Sequence, residues 1–345
     1  MIYVIRNKIA LMSCKSGKHF ADLILPSLNY FLEKEGLEKI ELIKTDEQQF
    51  INTEIKSNIL QSIRGSDVFI IQDVSNRYDG YSVNDNVLAL KTLVNSAKIS
   101  DAKRINVIIP TFPYARQDKP FGREGLTAKM FARELELVGA NIVITLDIHN
   151  TAITGFFDSC VVESLKGFRD LIEYIKKNIN IDNLVVSSPD LGGIKRAERY
   201  ATSLKRNLIT IYKERNYTTV DKINKMEVIG DVSGKDVLLV DDMIDTSGTV
   251  YSAMKLLKEK GVNNIYMACS LPFLNGKAIE RMDELYNFGN LKQIIGTNAV
   301  YHTQEFLDKH NWFVQVPVHH YFAKVISNLH IGKSISDLLS LDRQI

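Results

Sequence analysis

Two adjacent aspartates and a loop of small residues behind them are the part of this chain best suited to chemistry. Asp241 and Asp242 follow the apolar run 237–240, and the segment Asp245-Thr246-Ser247-Gly248-Thr249 comes shortly after them. An ionised carboxylate only accepts hydrogen bonds, so the pair suits ribose hydroxyls or a magnesium shell. Backbone amides, hydroxyls and a glycine that permits close approach can wrap a phosphate. We therefore interpret residues 241–249 as a diol clamp beside a phosphate cradle.

The elements on either side of this loop decide whether it can hold an anion. Residues 237–240 form a short apolar run typical of a buried parallel strand, and residues 249–257 have helical periodicity. The loop then lies at a helix N-terminus, where N–H groups and the helix dipole favour negative charge. An ordinary strand-to-helix turn with capping Asp and Thr would use the same residue types. The aspartate pair directly before the loop favours phosphoribose binding.

Strand-like apolar runs alternate with amphipathic helices along the whole chain, which predicts an α/β fold with mostly parallel sheets flanked by helices. Polar residues follow four of these runs, at 110–118, 147–149, 187–190 and 241–242. Open α/β sheets bind ligands at such strand ends. The predicted strands are 68–71, 105–109, 142–146, 184–186, 208–212, 237–240 and 265–268.

Composition sets the domain count and excludes some functions. The 345 residues are too many for one typical core and predict two domains, with 158–167 as the linker. A net charge of +2 without a basic tail argues against nucleic-acid binding. Cys14, Cys160 and Cys269 are odd in number and far apart, which argues against a disulfide framework or a zinc site. Since no stretch approaches the ~18 apolar residues of a membrane span, we expect a cytoplasmic protein.

Four further motifs accompany the 241–249 segment. They are Phe112-Pro-Tyr-Ala-Arg116-Gln117-Asp118-Lys119, the segment from Asp147-Ile-His149 to Asp158, the segment from Ser188-Pro-Asp190 to Ala197, and Phe50-Ile-Asn52-Thr-Glu54 with Ser62-Ile-Arg64-Gly65. In this order, from about residue 40 to about residue 300, the five motifs resemble the ribose-phosphate pyrophosphokinase family. Phosphoribosyltransferases share the 241–249 signature but lack the other four.

The resemblance implies two fused phosphoribosyltransferase-type domains. Residues 1–162, completed by 325–345, would hold ATP, and residues 163–324 would hold ribose 5-phosphate. The implied reaction transfers the β,γ-diphosphoryl group of ATP to O1 of ribose 5-phosphate, with Mg²⁺ as cofactor. Members of the family assemble as dimers or hexamers, so we expect a homodimer or homohexamer with a shared ATP site.

The resemblance also assigns roles to individual residues. A metal would bind at His149 and at Asp190, although a histidine taken alone is more often a hydrogen-bonded core residue. Lys213 and Arg215 would be catalytic. They open a polar stretch to about Gly234 that we interpret as a lid. If the resemblance is set aside, the same stretch is equally well a plain charged surface loop. ATP would be bound by Phe50, Asn52, Glu54, Arg116, Gln117 and Asp118, with the first three donated across a subunit interface; ribose 5-phosphate would be bound by Asp241, Asp242, Asp245, Thr246, Ser247, Gly248 and Thr249.

The chain departs from the family pattern at several positions. Thr53 replaces the usual Gly, Glu214 stands where a second Arg is common, and the loop after Lys119 is one residue short. Ser247 and Glu214 give weak support to a larger acceptor such as ADP-ribose. A non-catalytic regulatory subunit is a third alternative, against which the retained residues Lys213, Arg215, His149 and Asp241 count.

Overall fold

The computed structural model describes residues 8–215 and 223–339, which divide into two compact units. The first unit comprises the described part of Met1–Lys166, Ala299–Tyr301 and the described part of Val318–Ile345. The second comprises Gly167–Asn298 and His302–Pro317. From the sequence we placed these boundaries at 162/163 and 324/325. No helix within the described ranges is long and apolar enough to span a membrane.

The first unit is built on a five-stranded parallel sheet with strand order β1-β4-β5-β6-β7, and a separate antiparallel ribbon is formed by β2 and β3. Its strands are β1 (Ile9–Ser13), β2 (Thr45–Gln49), β3 (Ile55–Ile59), β4 (Asp67–Ile71), β5 (Arg104–Ile108), β6 (Ile142–Leu146) and β7 (Val161–Leu165). Its helices are α1 (Lys18–Lys34), α2 (Val83–Ile99), α3 (Thr127–Val138), α9 (His319–Ile331) and α10 (Ser336–Leu339).

The second unit is built on a six-stranded parallel sheet with strand order β15-β14-β13-β12-β8-β9, accompanied by an antiparallel ribbon of β10 and β11. Its strands are β8 (Leu184–Ser187), β9 (Asn207–Leu208), β10 (Thr210–Arg215), β11 (Ile223–Ile229), β12 (Asp236–Ile244), β13 (Ile265–Pro272), β14 (Gln293–Thr297) and β15 (Phe313–Val316). Its helices are α4 (Phe168–Asn178), α5 (Ile194–Leu204), α6 (Gly248–Glu259), α7 (Ala278–Asn287) and α8 (Gln304–Lys309).

The direction of winding reverses inside the second sheet. From β8 the chain passes through α5 to β9 on one side, and from β12 it passes through α6 to β13 on the other side. The carboxyl ends of β8 and β12 therefore flank a topological switch point, which is where open α/β sheets form ligand-binding crevices.

Both sheets carry apolar strands whose side chains are buried on both faces, as parallel sheets require. All five residues of β4 and all five of β6 are buried. The predicted α/β class, with phosphoribosyltransferase-like parallel sheets flanked by helices, is confirmed.

Three local predictions were wrong. The expected linker 158–167 contains β7, which pairs with β6 and completes the first sheet. The strand expected at 208–212 is two strands, with β9 in the parallel sheet and β10 in the ribbon. Strand β12 continues to Ile244, so Asp241 and Asp242 lie inside the strand and not beyond its end.

Candidate active site

The 245–249 segment forms a tight connection between β12 and α6. Ser247 adopts left-handed backbone angles (φ 61°, ψ 6°) immediately before Gly248, the first residue of α6. This conformation costs a residue with a Cβ about 1–2 kcal/mol, and it turns backbone N–H groups into an anion-binding concavity at the helix N-terminus. The hydroxyl oxygen of Ser247 is buried and has no hydrogen-bond partner within residues 8–215 and 223–339. A phosphate oxygen would supply that partner.

Residues from the segment after β13 hold this loop from behind. Arg281 Nη1 donates a hydrogen bond to the Thr246 carbonyl at 2.6 Å. The backbone N–H of Asn275 donates to the Asp245 carbonyl at 3.0 Å, and its side-chain amide donates to Asp245 Oδ1 at 2.9 Å. The loop conformation is therefore fixed before any ligand binds.

The aspartate pair is tied to helix α5 by one arginine. Arg196 Nη1 lies 2.7 Å from Asp241 Oδ1, and Arg196 Nη2 lies 3.5 Å from Asp242 Oδ1. The Asp242 N–H also donates to Asp241 Oδ1 at 2.9 Å. Burial, followed by the charge of Asp242, raises the pKa of Asp241 to about 7, while the Arg196 guanidinium acts in the opposite direction. The clamp thus places a buried carboxylate, Asp242, beside a partly exposed one, Asp241, with one cation next to both.

The turn after β8 lies next to the clamp, because β8 and β12 are neighbours in the sheet. Asp190 accepts a hydrogen bond from the Gly192 N–H at 3.0 Å, which shapes the turn. A Cβ on Gly193 would lie 2.8 Å from the Ser188 Cβ and 3.6 Å from Arg196 Nη1. Gly193 is therefore required for close packing of this turn against the start of α5.

In the first unit, two predicted motifs meet at the carboxyl ends of β5 and β6. Arg116 and Gln117 are exposed on the turn after β5, and His149 is exposed after β6. Asn150 donates a hydrogen bond to Asp118 Oδ2 at 2.5 Å, which joins the 112–119 motif to the 147–158 motif. This edge presents planar donors and an imidazole to solvent.

Phe50, Asn52 and Glu54 lie on a different element, the turn that connects β2 to β3. All three side chains are exposed, and the Phe50 N–H donates to the Glu54 carbonyl at 2.8 Å. Thr53 has left-handed backbone angles with φ 69°. Glycine adopts this conformation without strain, which explains why the family pattern has Gly at this position.

Lys213 and Arg215 belong to the β10–β11 ribbon. Their backbones pair with Met226 and Ile223, and the register shifts between Glu214 and Arg215. The segment from 213 to about 234, which we predicted to be a lid, is thus largely an antiparallel ribbon in the residues that the structure describes. The side chains of 213–215 and all of residues 216–222 lie outside the described residues.

Among residues 8–215 and 223–339, no three or more His, Cys, Asp or Glu side chains are grouped so that they could hold a metal ion. His149 belongs to the first unit and Asp190 to the second. Mg²⁺ usually takes only one or two protein ligands and completes its shell with substrate phosphates and water. The metal ligands stay predictions.

Comparison with known proteins accounts for both units. The N-terminal domain of ribose phosphate pyrophosphokinase matches residues 9–139, and a phosphoribosyl transferase domain matches residues 162–310. The chain belongs to the ribose-phosphate pyrophosphokinase family. It is 39% identical over 292 residues to the ribose-phosphate pyrophosphokinase of Chlorobaculum tepidum, covering 84% of this chain and 85% of that protein. It is 38% identical to the Bacillus subtilis enzyme of the same name, covering 87% and 90%.

A solved structure of a family member shares the whole architecture. The phosphoribosylpyrophosphate synthetase from Mycobacterium smegmatis is 28% identical and superposes with a TM-score of 0.80, covering 94% of this chain and 99% of that one. The resemblance drawn from five motifs is therefore confirmed at the level of family and fold.

From the sequence we missed three residues that contact the aspartate pair or the 245–249 loop. Arg196 lay inside a quoted motif but received no role, although a basic residue nine positions after the end of β8 was a usable signal. Arg281 and Asn275 lie about 30 residues or more from the loop they hold, and no pattern in the sequence joins them to it.

Proposed function

We propose that this chain transfers the β,γ-diphosphoryl group of ATP to O1 of ribose 5-phosphate, giving 5-phosphoribosyl 1-diphosphate and AMP. The observation that carries the proposal is the second unit's switch point, where an aspartate pair and a preformed anion cradle lie on one strand and the helix after it. Membership of the ribose-phosphate pyrophosphokinase family supplies the reaction.

Ribose 5-phosphate would bind along the end of β12. Its 5-phosphate would accept hydrogen bonds from the backbone amides and hydroxyls of residues 246–249, where the α6 dipole favours negative charge. Its 2- and 3-hydroxyls would donate to Asp241 and Asp242, since a carboxylate accepts from two neighbouring hydroxyls. Asp245 would support the loop through Asn275.

ATP would bind at the first unit's sheet edge. Arg116 and Gln117 offer planar donors suited to the triphosphate and to the adenine edge. Phe50 offers an aromatic face, and Asn52 and Glu54 offer polar groups for a purine. Because these three lie on the β2–β3 turn and not on the sheet edge, we propose that they act on the ATP of a neighbouring subunit, in a homodimer or homohexamer.

Mg²⁺ is the cofactor that the chemistry of ATP implies, and the residues present fit it. Asp190 supplies a carboxylate on a turn where a Cβ on Gly192 would come within 3.1 Å of its Oδ1, so the absence of a side chain keeps the approach open. His149 supplies an exposed imidazole. When bound, the ion would neutralise phosphate charge and orient the triphosphate.

The transfer is an in-line displacement. O1 of the sugar forms a bond to the β-phosphorus and loses its proton to solvent water. The bond from that phosphorus to the α,β-bridging oxygen breaks, and AMP leaves with that oxygen. Lys213 and Arg215 would stabilise the charge on the transferred oxygens. No covalent nucleophile is needed, and burial raises the pKa of Cys14, Cys160 and Cys269 above the usual thiol range, which leaves them unreactive.

The test is AMP release by the purified chain with ATP, Mg²⁺ and ribose 5-phosphate, with the sugar product identified by mass. ADP-ribose is the comparison acceptor, and an Asp241→Ala, Asp242→Ala double variant is the negative control. We expect rapid AMP release with ribose 5-phosphate that the double variant loses. Preference for ADP-ribose, or no AMP release with either acceptor, would overturn the proposal.

A further inference from the structure

Arg196 contacts both carboxylates of the clamp. We propose that Arg196 is a positioning residue that holds Asp241 and Asp242 in the arrangement needed to read the ribose 2- and 3-hydroxyls, and so sets the enzyme's selectivity for a sugar that carries both. The inference rests on the proposed function and extends it to acceptor selectivity.

The backbone around Arg196 aims its guanidinium at the clamp. Helix α5 begins at Ile194, directly after the 3₁₀ turn Leu191–Gly193, so Arg196 lies in the first turn of the helix. A Cβ on Gly193 would clash with the Ser188 Cβ at 2.8 Å but would only touch Arg196 Nη1 at 3.6 Å, so glycine lets the turn close up beside the guanidinium. The guanidinium therefore extends from the β8 side of the switch point to the β12 side, and it connects the turn that carries Asp190 to the clamp.

The charges around the clamp explain why a cation is needed there. Three groups lie beside Asp241. They are Asp242 on the same strand, Arg196 on α5, and the Cys269 thiol on the neighbouring strand β13. Burial and the two carboxylates raise the pKa of that thiol well above its usual range, so it brings no charge. Two carboxylates this close disfavour each other's ionised form, the more so because Asp242 is buried, and the Arg196 cation offsets part of that repulsion.

The contact geometry leaves acceptor capacity for the sugar. Arg196 Nη1 and the Asp242 N–H both donate to the same oxygen, Oδ1 of Asp241. This fixes the carboxylate plane, and Oδ2 of Asp241 becomes the oxygen that accepts from a hydroxyl. A carboxylate released from Arg196 would rotate or take up a proton, and a protonated carboxyl would donate a hydrogen bond where the sugar hydroxyl must donate.

Selectivity between ribose 5-phosphate and 2-deoxyribose 5-phosphate is the readout that separates positioning from general structural support. We expect Arg196→Met to raise the KM for ribose 5-phosphate by about 10- to 100-fold, as for loss of a charge-assisted hydrogen bond. The KM for ATP should change little. The preference for ribose 5-phosphate over the deoxy sugar, measured as the ratio of kcat/KM values, should fall by a similar factor.

Two matched variants complete the experiment. Arg196→Lys keeps one charge and should restore part of the preference. Arg199→Met removes an exposed arginine from the same helix and should leave all constants as in the wild type. Far-ultraviolet circular dichroism and fluorescence of the buried Trp312 in the second unit would show whether each variant is folded.

The outcomes distinguish the two proposals. An active wild type with a folded Arg196→Met variant of unchanged KM and unchanged preference overturns the role of Arg196 alone. If Arg196→Met fails to fold, the Arg196→Lys variant decides. Wild-type KM and wild-type preference for ribose 5-phosphate in that variant would count against positioning by a guanidinium that contacts both carboxylates, whereas a reduced preference supports it. A wild type that releases no AMP with ribose 5-phosphate overturns the proposed function itself.

Discussion

At the scale of single residues, the strongest local evidence for function is a strained serine followed by a glycine. The left-handed backbone of Ser247 persists because Asn275 and Arg281 hold the two residues before it, Asp245 and Thr246. Strain of this kind persists only where surrounding contacts determine the conformation, and it concentrates at ligand sites. Sequence alone identified the loop, but the strain and the supporting contacts depend on tertiary packing.

Gly248→Val tests the cradle. An ideal Cβ at this position would touch Arg281 Nη1 at 3.5 Å, and we expect the two added methyls to crowd the phosphate that the cradle is proposed to hold. We expect the KM for ribose 5-phosphate to rise about 10- to 100-fold, equivalent to one or two lost charge-assisted hydrogen bonds. The KM for ATP should be unchanged. Steady-state kinetics check this, with Ser252→Ala one turn along α6 as the control; an unchanged acceptor KM would remove the cradle assignment.

Asp241→Asn should stabilise the fold while it impairs catalysis. The pKa of Asp241 is raised from 3.8 to about 7 in the fold by burial and by Asp242, so ionising it opposes folding. That penalty is absent below about pH 4, grows as the pH rises from 4 to 7 and is constant above. We expect the variant to gain about 1–2 kcal/mol at pH 8 and little at pH 4. Thermal unfolding at both values checks the sign, and equal gains would contradict it.

At the scale of secondary structure, the apolar strands were predictable and the polar ones were not. β4, β6 and the start of β12 are runs of buried apolar residues, which periodicity identifies. β2 has the sequence Thr-Asp-Glu-Gln-Gln, and no apolar residue in it marks a strand. β7 contains Glu163 and Ser164, and pairing with β6 rather than local preference makes it a strand. Tertiary context therefore decided the elements that we missed.

Thr53→Gly tests whether the turn between β2 and β3, which carries the residues proposed to bind adenine, is strained at this position. A β-branched residue at φ 69° is strained, and glycine removes that strain at some cost in chain entropy. We expect a net stabilisation of about 1 kcal/mol. The matched control Asn58→Gly places glycine at an extended position of β3 and should destabilise. Thermal unfolding of both variants checks the prediction, which fails if the two shifts have the same sign.

The β10–β11 ribbon carries the two cations proposed for catalysis. Lys213→Ala and Arg215→Ala should each lower kcat by about 100-fold, roughly 3 kcal/mol of transition-state stabilisation, with little change in substrate KM. Glu214→Arg should retain or raise the activity, because it replaces a negative charge between the two proposed catalytic cations with a positive one. Single-turnover and steady-state kinetics separate chemistry from binding. Wild-type turnover in both alanine variants would show that the ribbon is only a surface element.

At the scale of the whole molecule, sequence and structure agree on two phosphoribosyltransferase-like α/β units. The switch point between β8 and β12 involves residues from the segments 188–197 and 241–249 and from two later positions, Asn275 and Arg281. Only the first two segments were among the motifs identified in the sequence. Contacts made by Arg281 over 35 residues of sequence could not be inferred from spacing. The residues proposed to bind adenine lie on two separate elements, the β2–β3 turn and the turn after β5, so the shared ATP site is tested through the oligomeric assembly.

Complementation between inactive chains tests the shared ATP site. A Phe50→Ala, Glu54→Ala chain and an Arg116→Ala chain should each be inactive, because each removes one half of the adenine-binding set. Mixed and reassembled, they should recover part of the wild-type activity, since in a symmetric dimer one of the two sites of a heterodimer is then intact. A mixture of two preparations of the same variant is the control and should stay inactive. Differently tagged chains allow heterodimers to be isolated before assay. Verified heterodimers without activity, or full activity in a monomer at assay concentration by sedimentation, would show that each chain completes its own ATP site.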